Sequence, residues 1–388
     1  MCMSISIMDF IYNDESMLNN ECYCEKGIIN KVKLKDCCSK GKKNNLKAGI
    51  KIASYINNIE GYKNYQCLCP NHMVKDCKSL KGVEAINSHS VSRNQNLSKI
   101  SEKNEIYSFK AKLRNGIFSF NYQFEKETIH SASTYLGFCN FHDGNIFGNI
   151  DKGIRAANNE DIFFIRYRLL GKELKKMEID LYNIRRLIKF ILWINNNSEK
   201  KYIETYEKIR YYESKISQEY DILLKEKQYM DSCIVSDNNI FKVKNEIFSS
   251  VSVIMENDVD FLVDGSFDLF EKKIYLNLSY DNSNKSILSF YFKKEDCNNK
   301  ILNFIYNICD EDILDKVYNF SLTSVSTVYS YYKVSFIDNV KGYDKKELAH
   351  ILNLNRVKTH YEAEELNVFQ LNIKLGIKSK IKQIIKNI

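Results

Sequence analysis

Eight of the twelve cysteines fall between Cys22 and Cys139, and four of the six histidines (His72, His89, His130 and His142) lie in the same part of the chain. No other feature constrains the fold as tightly, because thiolates and imidazoles at short spacing can pin distant segments to one metal ion. The opening stretch MCMSISIMDFIYNDES has neither the basic start nor the small-residue cleavage site of a secretory signal, which predicts a cytoplasmic protein. Cytosolic thiols stay reduced, so clustered cysteines read as ligands in preference to disulfides. Cys2, Cys233, Cys297 and Cys309 are scattered and read as small buried hydrophobes.

The clustered cysteines form two groups. In ECYCEKGIINKVKLKDCC, Cys22 and Cys24 stand on a C-x-C spacing and Cys37 and Cys38 are adjacent. Four thiolates complete a closed tetrahedral zinc site, and such a site supplies folding energy that a small unit lacks. In GFCNFHDGNIF, Cys139 and His142 stand on C-x-x-H, with Asp143 directly after the histidine. CLCPNHMVKDC offers Cys67, Cys69, His72 and Cys77 to complete that second set. The C-x7-C pair Cys69 and Cys77, with Pro70 (the one proline of the chain) shaping the loop, is preferred, and Cys67 is held in reserve. The expected second site is therefore Cys69, Cys77, Cys139 and His142, giving two structural zinc ions per chain.

Hydrophobic periodicity divides the rest. Leu170, Leu174, Met177, Leu181, Ile184, Ile188 and Ile191 keep a heptad spacing, NNNSEK at 195–200 interrupts it, and Tyr202, Tyr206, Ile209, Ile216, Tyr220, Leu223 and Met230 resume it with Glu213 and Lys227 as interruptions. That pattern predicts a helical hairpin. FSSVSVIM, KKIYLNLSY and SILSFYF then change to a period of two, with NNKILNFIYNIC and EDILDKVYNF as neighbouring helices. The expected organisation is α+β: a zinc unit over 1–55, a second zinc domain over 56–157, a helical hairpin over 158–232 and a mixed α+β domain over 233–388.

A net charge of +8 is spread through a chain rich in lysine and asparagine, so its distribution says more than its size. Lys31 to Lys51 carries eight lysines against Asp36 alone, and Asn372 to Ile388 carries five lysines and no acid. These runs are either solvated faces or contacts to a polyanion, which makes nucleic acid the expected partner. Ile373, Ile377, Ile381, Ile384 and Ile388 fall at helical spacing and predict a basic amphipathic helix, docked on its own domain in preference to lying on an anionic surface. No apolar run is long enough to span a bilayer, so no membrane partner is expected.

The first cysteine group resembles the SEC-C zinc knuckle, with CYCEKG as its opening and KLKDCC as its close; Glu25-Lys26 replaces the usual Gly-Ser, and the spacer is longer. That resemblance implies contact with a protein or RNA partner. The second group resembles the HNH, or ββα-metal, nucleases that carry a structural zinc in a treble clef. INSHSVS ends a β-like run at His89, and STYLGFCNFHD lays Cys139 and His142 onto the paired ligands and Asp143 onto the metal-binding position. Ser88 stands in place of the usual acid, and Ser133 or Thr134 in place of the orienting asparagine. CPNHMVKDC, INSHSVS, GFCNFHD and FIRYRLLGKELKK together resemble a group of bacterial proteins with C-x7-C, A-H-S-[IV] and G-F-C-x-x-H-D motifs.

The nuclease resemblance implies that a neutral His89 deprotonates an attacking water while Asp143 helps hold a catalytic divalent ion such as Mg2+. It implies a metal-dependent endonuclease, expected in bacterial antiviral defence against phage or mobile DNA. Asp143 is also what any helix start favours, worth ~0.5 kcal/mol through the helix dipole. The rival reading is a non-catalytic zinc-binding adaptor that contacts nucleic acid or a protein.

Overall fold

The computed structural model describes residue 33 and residues 66–77, 85–113, 120–156, 158–197, 202–237, 240–256, 258–323, 328–339 and 380–387. Cys22, Cys24, Cys37 and Cys38, and with them the SEC-C-like zinc site, lie outside the described residues.

The elements run β1 (Asn87–His89), β2 (Glu105–Leu113), β3 (Phe120–Thr128), β4 (Thr134–Leu136), α1 (Asn140–Phe147), α2 (Asn159–Asn197), α3 (Ile203–Cys233), β5 (Ile234–Asp237) and β6 (Ile240–Val243). There follow β7 (Phe248–Met255), β8 (Phe261–Leu269), β9 (Lys272–Tyr280), β10 (Ser286–Lys293), α4 (Asn299–Ile308), α5 (Ile313–Thr323), β11 (Val328–Tyr332), α6 (Val334–Asp338) and β12 (Ile381–Asn387). The protein is a mixed α+β fold. It divides into two compact units, one of Tyr65–Ala111, Tyr122–Lys172 and Lys227–Ile388, the other including Glu173–Glu226.

In the latter unit α2 and α3 pair antiparallel. The Asn195 side chain accepts from Tyr202 N at 2.7 Å near the connection, and ten or eleven residues further along each helix Arg185 meets Glu213 at 3.0 Å. Glu213, which breaks the apolar stripe of α3, is thus a cross-helix ion-pair partner. Leu174, Leu181, Ile188, Ile191 and Ile209 of the two stripes are buried.

The larger unit is built on an eight-stranded sheet of order β12-β7-β10-β9-β8-β11-β2-β3. Strands β7, β9 and β10 coincide with the period-two runs of the sequence, and their one face (Val251, Val253, Leu276, Leu278, Leu288, Phe290) packs against Ile301 and Ile305 of α4 and Val317, Phe320 of α5. The opposite face is buried and polar: Ser252, Ser289, Asn277 and Asp264 stand in one register row across four strands. The N-terminal part of α2 lies over it, with the Arg166 guanidinium 4.4 Å from the Tyr275 ring centre and Lys172 Nζ 3.0 Å from Tyr331 Oη.

Two arrangements differ from what local pattern suggests. Strands β2 and β3, which the sequence places in the 56–157 segment, share this sheet with strands of the 233–388 segment. The tail isoleucines do not continue a helix through 381–387: Ile381–Asn387 is a strand paired antiparallel with β7. The edge of β7 otherwise presents a row of unpaired N–H and C=O groups, and β-branched isoleucines suit that strand better than a short isolated helix.

Candidate metal centre and adjoining polar cluster

The second cysteine group is assembled by three short elements. Gln66–Pro70 leads into a 3-10 turn, Asn71–Asp76, closed by Met73 N donating to Pro70 O at 2.8 Å and Cys77 N to Val74 O at 3.1 Å. β1 and β4 pair antiparallel in the register Asn87↔Leu136, Ser88↔Tyr135, His89↔Thr134. β4 then runs through Gly137 and Phe138 into α1, whose N-cap is Cys139. Leu68 N donates to Gly137 O and Ile86 N to Phe138 O, both at 2.8 Å, so the turn and the hairpin are stitched to the segment that delivers Cys139. Phe138 is fully buried, with ring centres of Phe147 and Tyr167 at 4.9 and 5.8 Å.

This framework brings donor atoms of Cys67, Cys77, Cys139 and His142 within 4.8 Å of one another. His142 Nδ1 lies 3.2 Å from Cys139 Sγ, 3.4 Å from Cys77 Sγ and 3.7 Å from Cys67 Sγ. Zinc with Zn–S near 2.3 Å and Zn–N near 2.0–2.1 Å has tetrahedral S···N edges of ~3.6 Å, so the observed spacings fit such an ion. Cys139 N also donates to Cys67 Sγ at 3.1 Å, support suited to a thiolate. Cys69, chosen from the sequence, sits directly beside the set, its Sγ 3.6 Å from Cys77 Sγ. Four donors therefore meet the need of a tetrahedral ion, and a fifth thiol lies against one of them. The chain could hold zinc here.

The crowded thiols perturb one another. A hydrogen bond with Cys69, opposed by burial, holds the Cys67 thiol below its ordinary range, whereas Cys69 is pushed up first by that same bond and then by burial. Burial raises Cys77 and Cys139 as well. Thiols this close cannot all ionise against one another, and a divalent ion is what removes that repulsion. The other ring nitrogen of His142, Nε2, is buried without a hydrogen-bond partner among the described residues, with Phe241 of β6 at 6.0 Å between ring centres. His72 is exposed and stands apart from the cluster.

His89 and Asp143 lie on the adjoining hairpin and helix. His89 is no member of the metal cluster: its Nδ1 is 3.0 Å from Ala132 O and 3.2 Å from Ser133 Oγ. A carbonyl can only accept, so Nδ1 carries the proton and Nε2 keeps its lone pair. Burial lowers the His89 pKa from its ordinary value, opposed by the bond to Ala132 O and helped by the charges of Arg93 and Arg168, which favours the neutral ring. Ser133 holds its place through a left-handed backbone, φ 62°, and its hydroxyl bonds Val91.

Asp143 closes the first turn of α1, its N–H bonded to Cys139 O at 2.9 Å. Burial raises its carboxyl pKa, opposed by the Arg168 charge and a hydrogen bond with Ser88, and Oδ1 is buried with no hydrogen-bond partner among the described residues. Arg168, on α2, grips Asp151 with two bonds of 2.7 and 2.9 Å and lies 4.3 Å from the centre of the Phe147 ring. Burial works against the Arg168 charge, but Asp151 more than offsets it and the pKa is raised. Arg168 and Asp151 influence both His89 and Asp143, so the four groups form one electrostatic neighbourhood. Sequence reasoning singled out neither Arg168 nor Asp151. The available signal was the pair of arginines inside the apolar run FFIRYRLL, where a buried charge demands a partner.

No protein-family model, curated protein or solved structure matches the chain. Among the described residues no helix is long and apolar enough to cross a membrane.

Proposed function

We propose that residues 66–147 form a zinc-stabilised ββα module that hydrolyses phosphodiester bonds in nucleic acid. The observation that carries this reading is the contact of His89 Nδ1 with Ala132 O at 3.0 Å, which assigns the proton to Nδ1 and leaves Nε2 as the basic nitrogen in the electrostatic neighbourhood of Asp143. Nε2 takes the proton of the attacking water. The orphaned Oδ1 of Asp143 offers an oxygen ligand for a divalent ion, which when bound neutralises charge on the departing oxygen. Arg168 and Asp151 hold the carboxylate side of the cluster in place. Action against phage or mobile DNA is the biological role proposed by analogy with similar small zinc nucleases.

One observation favours the adaptor reading: the Arg168–Asp151 pair beside Asp143 can serve as a purely structural charge network. Two variants separate the two readings, and a third serves as a control. On the nuclease reading, His89→Ala and Asp143→Ala each abolish Mg2+-dependent cleavage of plasmid or single-stranded DNA, with zinc content and fold unchanged. Cys139→Ala removes zinc and unfolds the module on either reading. Cleavage surviving at wild-type rate in Asp143→Ala, or no cleavage by the wild-type protein with any nucleic acid, refutes the nuclease reading.

A further inference from the structure

The surplus of donors at the metal centre has a chemical consequence. Cys77 belongs both to the four-atom cluster and to the set preferred from sequence, and Cys69 Sγ lies 3.6 Å from its sulfur. The two residues flank the 3-10 turn Asn71–Asp76, so local backbone, independent of any ion, sets their approach. A disulfide of ~2.05 Å requires the sulfurs to close by about 1.5 Å from the observed 3.6 Å, within reach of side-chain rotation. Cys77 is half-exposed and Cys69 is buried, an arrangement in which an oxidant reaches one thiol and the other waits beside it.

We propose that Cys69 is the surplus thiol of this centre, and that Cys69 and Cys77 form a peroxide-oxidisable pair whose disulfide expels the bound ion. The inference rests on the metal-centre reading above. The Cys77 thiolate attacks hydrogen peroxide, the O–O bond breaks, and Cys77 becomes a sulfenic acid as hydroxide leaves. The Cys69 sulfur then attacks the Cys77 sulfur; the S–O bond breaks, and the departing hydroxide takes the Cys69 proton as water. The Cys77 thiolate and the Cys69 thiol together lose two electrons, and peroxide is reduced to one water and one hydroxide, which takes a proton from solvent. Cys67, Cys139 and His142 remain, one ligand short of a closed structural site.

The test uses the full-length zinc-loaded protein treated with hydrogen peroxide, with released zinc read by a chromogenic chelator and cysteine pairing read by peptide mapping. Lys75 lies between the two cysteines, so trypsin leaves two peptides joined only by the disulfide, and fragment ions distinguish Cys69 from Cys67. Zinc release and the Cys69–Cys77 link should rise together and reverse with dithiothreitol plus zinc. Cys69→Ser should retain zinc as purified and release it about tenfold more slowly, because the resolving thiol is gone. Wild-type protein that keeps its zinc under peroxide, or releases it with a different pair linked, overturns the proposal. So does a Cys69→Ser protein that lacks zinc while keeping the wild-type circular dichroism. A wild-type protein with no zinc before treatment refutes the metal centre itself, a separate outcome.

Discussion

Gly137→Ala tests whether the segment delivering Cys139 is as tightly determined as its geometry implies. A Cβ at Gly137 falls 2.8 Å from Tyr135 Cζ and 2.9 Å from Cδ2, distances that packed atoms do not tolerate. The ring cannot swing away cheaply. Tyr135 is buried, its Oη donates to Arg168 O at 3.0 Å, and Gly171 lies under that oxygen, where an added Cβ would be 3.2 Å away. Moving the ring forfeits one buried hydrogen bond, about 1 kcal/mol, and overpacking adds about 1–3 kcal/mol, so a loss of roughly 2–4 kcal/mol is expected. Urea unfolding followed by circular dichroism measures it, with zinc content determined on the same samples. The clash is with one side chain, so the cycle with Tyr135→Ala should show coupling: Gly137→Ala then adds less than about 1 kcal/mol. A Gly137→Ala protein within about 0.5 kcal/mol of wild type, or an effect unchanged by removing the tyrosine ring, refutes the reasoning.

Other perturbations follow from the same structure. Exhaustive chelation should unfold the module around α1 first, seen as loss of amide protection at Phe138–Phe147 before that of β9 and β10; simultaneous loss would show that the ion does not organise this segment. His89 has a folded pKa below its unfolded value, so the unfolded chain binds more protons as pH falls through 6.5 toward the folded value. Its contribution is present above pH 6.5 and is lost below it, and His89→Gln should flatten the slope of stability against pH in that window; an unchanged slope contradicts the assignment. If cleavage uses neutral His89, the acid limb of its pH profile should lie below pH 6.5. Lys227→Met strands Asp231, which the lysine grips at 2.7 and 2.9 Å and which accepts from Tyr167 at 2.7 Å, and should cost about 3 kcal/mol. Adding Asp231→Leu should recover part of that loss, and further destabilisation instead would count against a stranded charge.

Local pattern carried part of this protein by itself. The heptad stripe of Leu174, Leu181 and Ile188 requires a helix with one buried side, and the alternation in KKIYLNLSY requires a strand, because both periods are properties of the backbone. The C-x-x-H spacing likewise places Cys139 and His142 at the first turn of a helix, where their donor atoms meet at 3.2 Å. What local pattern could not decide were choices between partners distant in sequence. Cys67 and Cys69 are two residues apart, and the stitching of Leu68 to Gly137 and of Cys139 N to Cys67 Sγ brings Cys67 to His142. β2 and β3 extend a sheet made mostly of residues more than a hundred positions later, and Ile381–Asn387 becomes a strand because β7 has an edge to fill. Arg168 finds Asp151 across a helix boundary for the same reason: a buried charge announces in sequence that it needs a partner, and only the packed chain selects which one.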